Sequence, residues 1–108
     1  MKDCLFCRII RGEKPADFVY QDDKAVALNN PYPQAKTHIL VIPRKHLSSI
    51  EGMEKEDESL VGHLFRVAKK VAQEKGLSGY HLIINTGEAQ KIPHLHLHLV
   101  SPDIKHLP

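Results

Sequence analysis

The sequence predicts an α+β fold in which an antiparallel sheet of about five short strands is covered by one long helix, with one further short helix. Three features carry this prediction: short β-like runs separated by turn residues, a single long amphipathic segment, and a strictly alternating segment near residue 100. Connections of hairpin length join most of the strands, which favours antiparallel pairing. We expect one domain over residues 1–108, because no linker or repeat interrupts the chain.

The first half of the chain predicts a short helix and three strands. Gly12 and Pro15 end the apolar helix, and a polar turn joins the first two strands as a hairpin. A loop over 29–36, rich in proline and asparagine, precedes a β-branched strand that stops at Pro43. The predicted elements are a helix over 5–10 and strands over 18–20, 25–28 and 38–42.

A long helix is predicted from about residue 57 to residue 75. Its apolar residues recur at helical spacing, acidic side chains crowd its first turn, and Gly76 follows its end. Strands over 80–85 and 93–100 complete the predicted sheet. The apolar stripe of the helix consists of Leu60, Leu64, Val67, Ala68, Val71 and Ala72.

Composition excludes several classes of protein. The formal net charge is only +2, and residues of both signs are mixed along the chain. This pattern does not indicate a protein that binds nucleic acid or a membrane surface. No apolar run approaches the ~20 residues of a membrane span, and the first residues lack the features of a signal peptide. We therefore expect a cytoplasmic protein. The unusual feature is eight histidines, whose positions indicate the chemistry.

Histidine and leucine alternate strictly over residues 94–99. In a strand the three leucines would face a core, and His94, His96 and His98 would line the opposite face. Those histidines could be an ordinary polar surface, a metal site of three imidazoles, or a row in an active-site cleft in which one imidazole attacks. Alternate residues of a strand splay too far apart to share one tetrahedral ion. We favour the active-site cleft.

The alternating segment and Val100 match the His-φ-His-φ-His-φ-φ signature, where φ is apolar, of the histidine-triad superfamily. The resemblance covers about residues 3–100 and is closest to the Hint branch of purine nucleoside phosphoramidases. It implies an α+β fold and a homodimer whose sheets join. The other matching runs are 5–10, 15–16, 20–23, 33–38, 40–46, 57–60 and 85–87.

The resemblance also implies site residues. His96 would attack the α-phosphorus of a purine nucleotide derivative, and water would hydrolyse the nucleotidyl-histidine intermediate. His98 would contact the α-phosphate or the leaving group, and His38 and His94 would complete the hydrogen-bonded set. Asn85 resembles a phosphate contact. The positions that match the surroundings of the base and ribose are Leu5, Phe6, Ile9, Leu28, Asn29, Asn30 and Pro31.

Two residues depart from the pattern of this branch. Asn30 stands where an acid usually grips the ribose hydroxyls, and an amide lacks that charge. Lys91 stands where a serine often helps the leaving group, and a lysine could steer an anionic substrate.

Cys4 and Cys7 have C-x-x-C spacing, which fits half of a zinc site, a redox pair or two ordinary thiols. The resemblance adds His46 and His94 as the other half of a structural zinc site. We expect zinc there and no organic cofactor. We expect His63 to border the helix stripe, His81 to be structural, and make no assignment for His106.

Three functions follow as hypotheses. The first is hydrolysis of nucleoside 5′-phosphoramidates. The second uses the same nucleophile in a dinucleoside-polyphosphate hydrolase or a nucleotidyl transferase. The third is a regulatory module that binds nucleotide or zinc with vestigial turnover; the intact histidine set argues against it.

Overall fold

A computed structural model describes residues 4–108. Five strands form one antiparallel sheet in the order β1-β2-β3-β5-β4. The elements are α1 (Leu5–Ile10), β1 (Phe18–Gln21), β2 (Ala25–Asn29), β3 (His38–Pro43), α2 (Glu58–Glu74), β4 (His81–Ile84) and β5 (Leu97–Val100), with short 3-10 turns at Ile50–Gly52, Lys55–Asp57 and Gly87–Ala89. The predicted α+β architecture is confirmed.

The helix α2 covers one face of the sheet. Its predicted apolar stripe is buried against β2, β3 and β5, except that Leu60 is only partly buried at the border. Because Leu95, Leu97 and Leu99 belong to the same cluster, the predicted inward face of the alternating segment is confirmed.

The helix α1 covers the opposite face of the sheet. Phe6 and Ile9 pack there against Leu28 and Leu40 of the central strands. The three histidines of the alternating segment lie on this side and are at most 8% exposed. An ordinary solvent-facing polar surface is therefore excluded for them.

The last strand is shorter than predicted, because it begins at Leu97 and not at residue 93. Pro93 has no N–H to donate to a ladder. The chain bends over residues 91–94, and the Leu95 N–H donates to the carbonyl of Leu47, outside the sheet, at 2.6 Å. His94 and His96 consequently precede β5, and only His98 lies within it.

The segment after β3 is tied to the start of α2. Asp57 is 3% exposed; its carboxylate accepts hydrogen bonds from the Glu54 N–H at 2.8 Å and from Lys45 Nζ at 2.6 Å. These bonds lower the pKa of Asp57. They also restrain the chain on either side of Lys45, and His46 is the next residue.

His63 does border the stripe of α2, and it has a partner. Its Nε2 lies 2.7 Å from the Asp22 carboxylate in the turn between β1 and β2. His81 is exposed on β4, and His106 is exposed in the segment after β5. None of the helices within residues 4–108 is long and apolar enough to cross a membrane.

Leu64 and Phe65 offer a test of which face of α2 stabilises the fold. Leu64 is completely buried and Phe65 is 41% exposed. Leu64→Ala should lower the free energy of unfolding by about 2–5 kcal/mol, because it removes buried methyl groups and leaves a cavity. Phe65→Ala should cost about 1 kcal/mol or less. Urea unfolding checks both, and equal losses would contradict the packing described.

Candidate active site

A cavity of about 390 Å³ lies on the α1 side of the sheet. Its wall combines apolar side chains with imidazole, amide and ammonium groups. Among the described residues, no acidic side chain lines it. The lining residues are Leu5, Phe6, Ile9, Leu28, Asn30, Pro31, Tyr32, Gln34, His38, Leu40, Asn85, Lys91, Ile92, His96, His98 and Pro108.

His96 is held in one tautomer. Its Nδ1 lies 2.7 Å from the backbone carbonyl of His94, and because a carbonyl only accepts, Nδ1 carries the proton. The neutral ring therefore has its lone pair on Nε2. Burial lowers the pKa of His96, although the bond to the His94 carbonyl raises it. The Phe6 ring packs edge-on against this imidazole, with 5.0 Å between centroids.

His38 and His98 form a second fixed pair. The Gln34 N–H donates to Nδ1 of His38 at 3.0 Å, so the proton of neutral His38 is on Nε2. That Nε2–H donates to Nδ1 of His98 at 2.9 Å, which leaves the His98 proton on Nε2. Within residues 4–108 this buried Nε2–H has no acceptor. The site therefore pairs an unprotonated nitrogen on His96 with an unused proton donor on His98.

The pKa values of both partners agree with this neutral pair. The pKa of His98 is lowered to about 3, chiefly by burial and further by the neighbouring His96 and His38. Burial also lowers the pKa of His38, again with a contribution from His96.

Asn30 supports the loop before β3. Its Oδ1 accepts a hydrogen bond from the Tyr32 N–H at 2.9 Å. Its Nδ2 lies 3.3 Å from Nε2 of His38, but both atoms carry protons, so this is a contact and not a hydrogen bond. The amide of Asn29 donates to Asp17 at 2.8 Å.

A second cluster lies beside the cavity. One ligand atom each from Cys4, Cys7, His46 and His94 lies within 4.8 Å of the others. Nδ1 of His94 is 3.3 Å from the Cys4 sulfur, 3.6 Å from the Cys7 sulfur and 3.1 Å from Nδ1 of His46. A tetrahedral zinc, with Zn–S of about 2.3 Å and Zn–N of about 2.0 Å, requires edges of about 3.5 Å for sulfur–nitrogen and about 3.3 Å for nitrogen–nitrogen. The observed spacings match those edges.

The orientation of His94 also suits a metal. Its Nε2–H donates to the backbone carbonyl of Pro43 at 2.9 Å, so the unprotonated Nδ1 faces the two sulfurs. Burial lowers the pKa of His94 to about 4, which keeps the ring in the neutral form that binds a metal. His94 lies in this cluster and is absent from the lining of the cavity.

Comparison with known proteins decides the family. The family model described as "Scavenger mRNA decapping enzyme C-term binding" matches residues 3–107. A HIT-like protein of Synechococcus elongatus is 44% identical over 102 residues, which are 92% of this chain and 90% of that protein. A purine nucleoside phosphoramidase of Escherichia coli K12 is 40% identical over 103 residues, which are 92% of this chain and 87% of that protein.

The chain belongs to the histidine-triad (HIT) superfamily. Solved structures agree with this assignment. A HIT family hydrolase of Legionella pneumophila is 40% identical, with a TM-score of 0.91 and 98% of each chain covered. A histidine triad protein of Clostridium difficile is 39% identical, with a TM-score of 0.91, 100% of this chain covered and 96% of that one.

Most residues singled out from the sequence of this HIT protein meet at the cavity. Those that line it are Leu5, Phe6, Ile9, Leu28, Asn30, Pro31, His38, Asn85, Lys91, His96 and His98. Asn29 lies outside the lining described here, with its amide on Asp17. Cys4, Cys7, His46 and His94 meet in the separate cluster, as expected.

Sequence reasoning missed five lining residues: Tyr32, Gln34, Leu40, Ile92 and Pro108. Leu40 follows His38 at a spacing of two on the same strand, so strand alternation could have identified it. Tyr32 and Gln34 lie in the loop directly before His38. The sequence carried no sign that the carbonyl of Pro108 would accept a hydrogen bond from Asn85, at 2.8 Å.

The neutral His98 predicts how stability depends on pH. An unfolded histidine takes up a proton below about pH 6.5, whereas folded His98 resists protonation down to a pKa of about 3. His98 should therefore reduce the free energy of unfolding progressively as pH falls through that window. In urea titrations from pH 7 to 4, His98→Gln should show a shallower loss than the wild type. His106→Gln, at an exposed position, is the control, and equal slopes in wild type and His98→Gln would contradict the prediction.

Proposed function

We propose that this HIT protein hydrolyses nucleoside 5′-phosphoramidates through a nucleotidyl intermediate on His96. The observation that carries the proposal is the unprotonated Nε2 of His96, in a cavity that also holds the unused Nε2–H of His98. A neutral imidazole fixed in this tautomer is a competent nucleophile near pH 7. The relationship to a purine nucleoside phosphoramidase of Escherichia coli supports the same reaction.

In the first step, Nε2 of His96 attacks the α-phosphorus and the bond from phosphorus to the leaving nitrogen breaks. The departing amine takes one proton from solvent water, and the Nε2–H of His98 can donate a hydrogen bond to the leaving nitrogen or to a phosphate oxygen. The Nε2–H of His38 donates to Nδ1 of His98 at 2.9 Å and so orients this donor, while both rings stay neutral. Attack makes the His96 ring cationic, and the His94 carbonyl on Nδ1–H stabilises that charge.

In the second step, water attacks the same phosphorus and the bond from phosphorus to Nε2 breaks. The products are the nucleoside monophosphate and neutral His96. The attacking water releases one proton to solvent, and this replaces the proton that the amine took in the first step. Each step exchanges one bond at phosphorus and moves one proton, so neither needs an oxidant or a metal-bound group.

The cavity wall matches a nucleotide derivative. The side chains of Leu5, Ile9 and Leu28, which we call its apolar end, suit a base, and Asn85 and the histidines supply polar groups. We assign the base and ribose to the apolar end, and the α-phosphate to the imidazoles. Because Asn30 already accepts a hydrogen bond from Tyr32, it contributes less to ribose binding than an acid would.

One observation favours a second candidate function. Lys91 brings an ammonium group to a cavity whose described lining holds no acidic side chain. An anionic leaving group would gain from that charge. Hydrolysis of dinucleoside polyphosphates, or nucleotidyl transfer, on the same His96 is therefore the alternative. Comparing initial rates with adenosine 5′-phosphoramidate and with diadenosine polyphosphates separates an amine from a phosphate leaving group.

We also propose a homodimer whose sheets join. β4 is an edge strand that pairs only with β5 in the described sheet, and Leu82 on it is 37% exposed. A paired edge would satisfy its free backbone groups and cover this side chain.

We further propose that Cys4, Cys7, His46 and His94 hold a structural zinc. When bound, zinc would link α1 to the segment before β5 and complete a closed tetrahedral site. The backbone carbonyl of His94 would then present a fixed acceptor to His96. All four positions are protein ligands, so the catalytic groups act without it.

His96→Ala should abolish phosphoramidate hydrolysis. Loss of the nucleophile should lower kcat/KM at least about 10³-fold, which corresponds to about 4 kcal/mol in the barrier. His63→Gln on the far face of the sheet is the matched control and should retain activity. Mass spectrometry of quenched wild type should detect one nucleotidyl adduct on the peptide that contains His96. More than a tenth of the wild-type activity in His96→Ala would exclude His96 as the nucleophile.

Metal analysis tests the zinc site. Protein purified without a metal-affinity tag should contain about one zinc per chain, and Cys4→Ser with Cys7→Ser should remove it. Chelation should lower Tm more than it lowers activity measured well below that Tm, because the metal is structural. Metal content far below one per chain, even with zinc supplied during expression, would show that the four residues pack without an ion.

A further inference from the structure

Tyr32 is an aromatic side chain that packing does not explain. It is 81% exposed, the highest value among the large hydrophobic side chains in the described part of the chain. It nevertheless lines the cavity. An exposed large apolar group beside a cavity indicates contact with a ligand or partner.

The backbone that carries Tyr32 is unusually restrained. Pro31 and Pro33 flank it, so their φ angles are fixed and the conformations of the residues before them are restricted. The Tyr32 N–H donates to Oδ1 of Asn30 at 2.9 Å. The Asn30 N–H in turn donates to the carbonyl of His38, also at 2.9 Å. Much of the backbone conformational entropy at Tyr32 has therefore already been lost on folding, so a ligand that contacts the ring has less ordering cost to overcome.

The ring adjoins the apolar end of the cavity. Tyr32 directly follows Pro31, which lines the cavity together with Leu28 on β2 and with Leu5 and Ile9 on α1. A planar nucleobase that places one face against these aliphatic side chains has a second face available for contact. An aromatic ring can cover that face by stacking.

We propose that Tyr32 stacks on the nucleobase of the bound substrate and favours purines over pyrimidines. The proposal rests on the proposed function, because it takes the apolar end as the base subsite. The stacking energy depends on the area of the ring system and not on its hydrogen-bonding edge, so adenine and guanine should bind alike. Asn30 contributes to this arrangement, because its Oδ1 accepts a hydrogen bond from the Tyr32 N–H.

The test compares Tyr32→Ala, Tyr32→Phe and, as control, Phe65→Ala, which removes an aromatic ring exposed on α2. The substrates are adenosine, cytidine and ribose 5-phosphoramidates. Tyr32→Ala should raise KM for the adenosine compound by about 5- to 150-fold, less for cytidine, and should not change it for the baseless ribose compound. Tyr32→Phe and Phe65→Ala should stay within about twofold of the wild type.

Several results would overturn the assignment. KM for the adenosine compound could stay within about twofold in Tyr32→Ala, or it could rise equally for the ribose compound. A change of dimer to monomer by light scattering in Tyr32→Ala would make Tyr32 an interface residue instead.

Calorimetry with AMP distinguishes this proposal from the proposed function. If the wild type hydrolyses no phosphoramidate but binds AMP, and Tyr32→Ala weakens that binding while Tyr32→Phe does not, the stacking role stands and the reaction fails. If hydrolysis occurs and Tyr32→Ala leaves AMP binding unchanged, the reaction stands and the stacking role fails. If the wild type neither hydrolyses a phosphoramidate nor binds AMP, both proposals fail.

Discussion

The site depends on burial of three leucines. Leu95, Leu97 and Leu99 are at most 1% exposed under α2, and a shift of one residue would exchange them for imidazoles. Since burying a leucine side chain contributes about 1.5–3 kcal/mol, the register is strongly determined. The histidines between these leucines therefore lie on the opposite face of the segment. The hydrophobic core thus positions polar groups that never enter it.

Backbone groups then decide how each imidazole is protonated. The carbonyls of Pro43 and His94 can only accept, so they place protons on Nε2 of His94 and on Nδ1 of His96. The Gln34 N–H can only donate, so it places the proton of His38 on Nε2. Neighbouring histidines therefore have different free atoms: Nδ1 of His94 faces the thiols, whereas Nε2 of His96 is a free base. One repeated residue type serves two kinds of chemistry.

The sequence predicts the parts of this molecule that depend on periodicity. The stripe of α2 and the leucine face are examples, because burial forces the same spacing on any chain with these elements. The late start of the last strand at Leu97 escaped prediction, since it depends on where the Leu95 N–H finds an acceptor, and Leu47 is remote in sequence. The position of Leu5, Phe6 and Ile9 at the cavity followed from the resemblance and not from periodicity, because α1 is too short to show a clear stripe. The contact of Pro108 with Asn85 carries no local signal at all.

The helix α1 contacts the cysteine–histidine cluster on one side and the cavity on the other. It is only six residues long, and an isolated helix of that length is not stable in water. Cys4 and Cys7 anchor it to the histidine cluster, while Leu5, Phe6 and Ile9 face the cavity. Its order therefore comes from what it contacts at both sides. A bound nucleotide and an intact cysteine–histidine cluster should each slow hydrogen exchange of the same few amides in α1. Binding at the cavity and binding at the cluster would then be coupled, because both oppose local unfolding of this short helix.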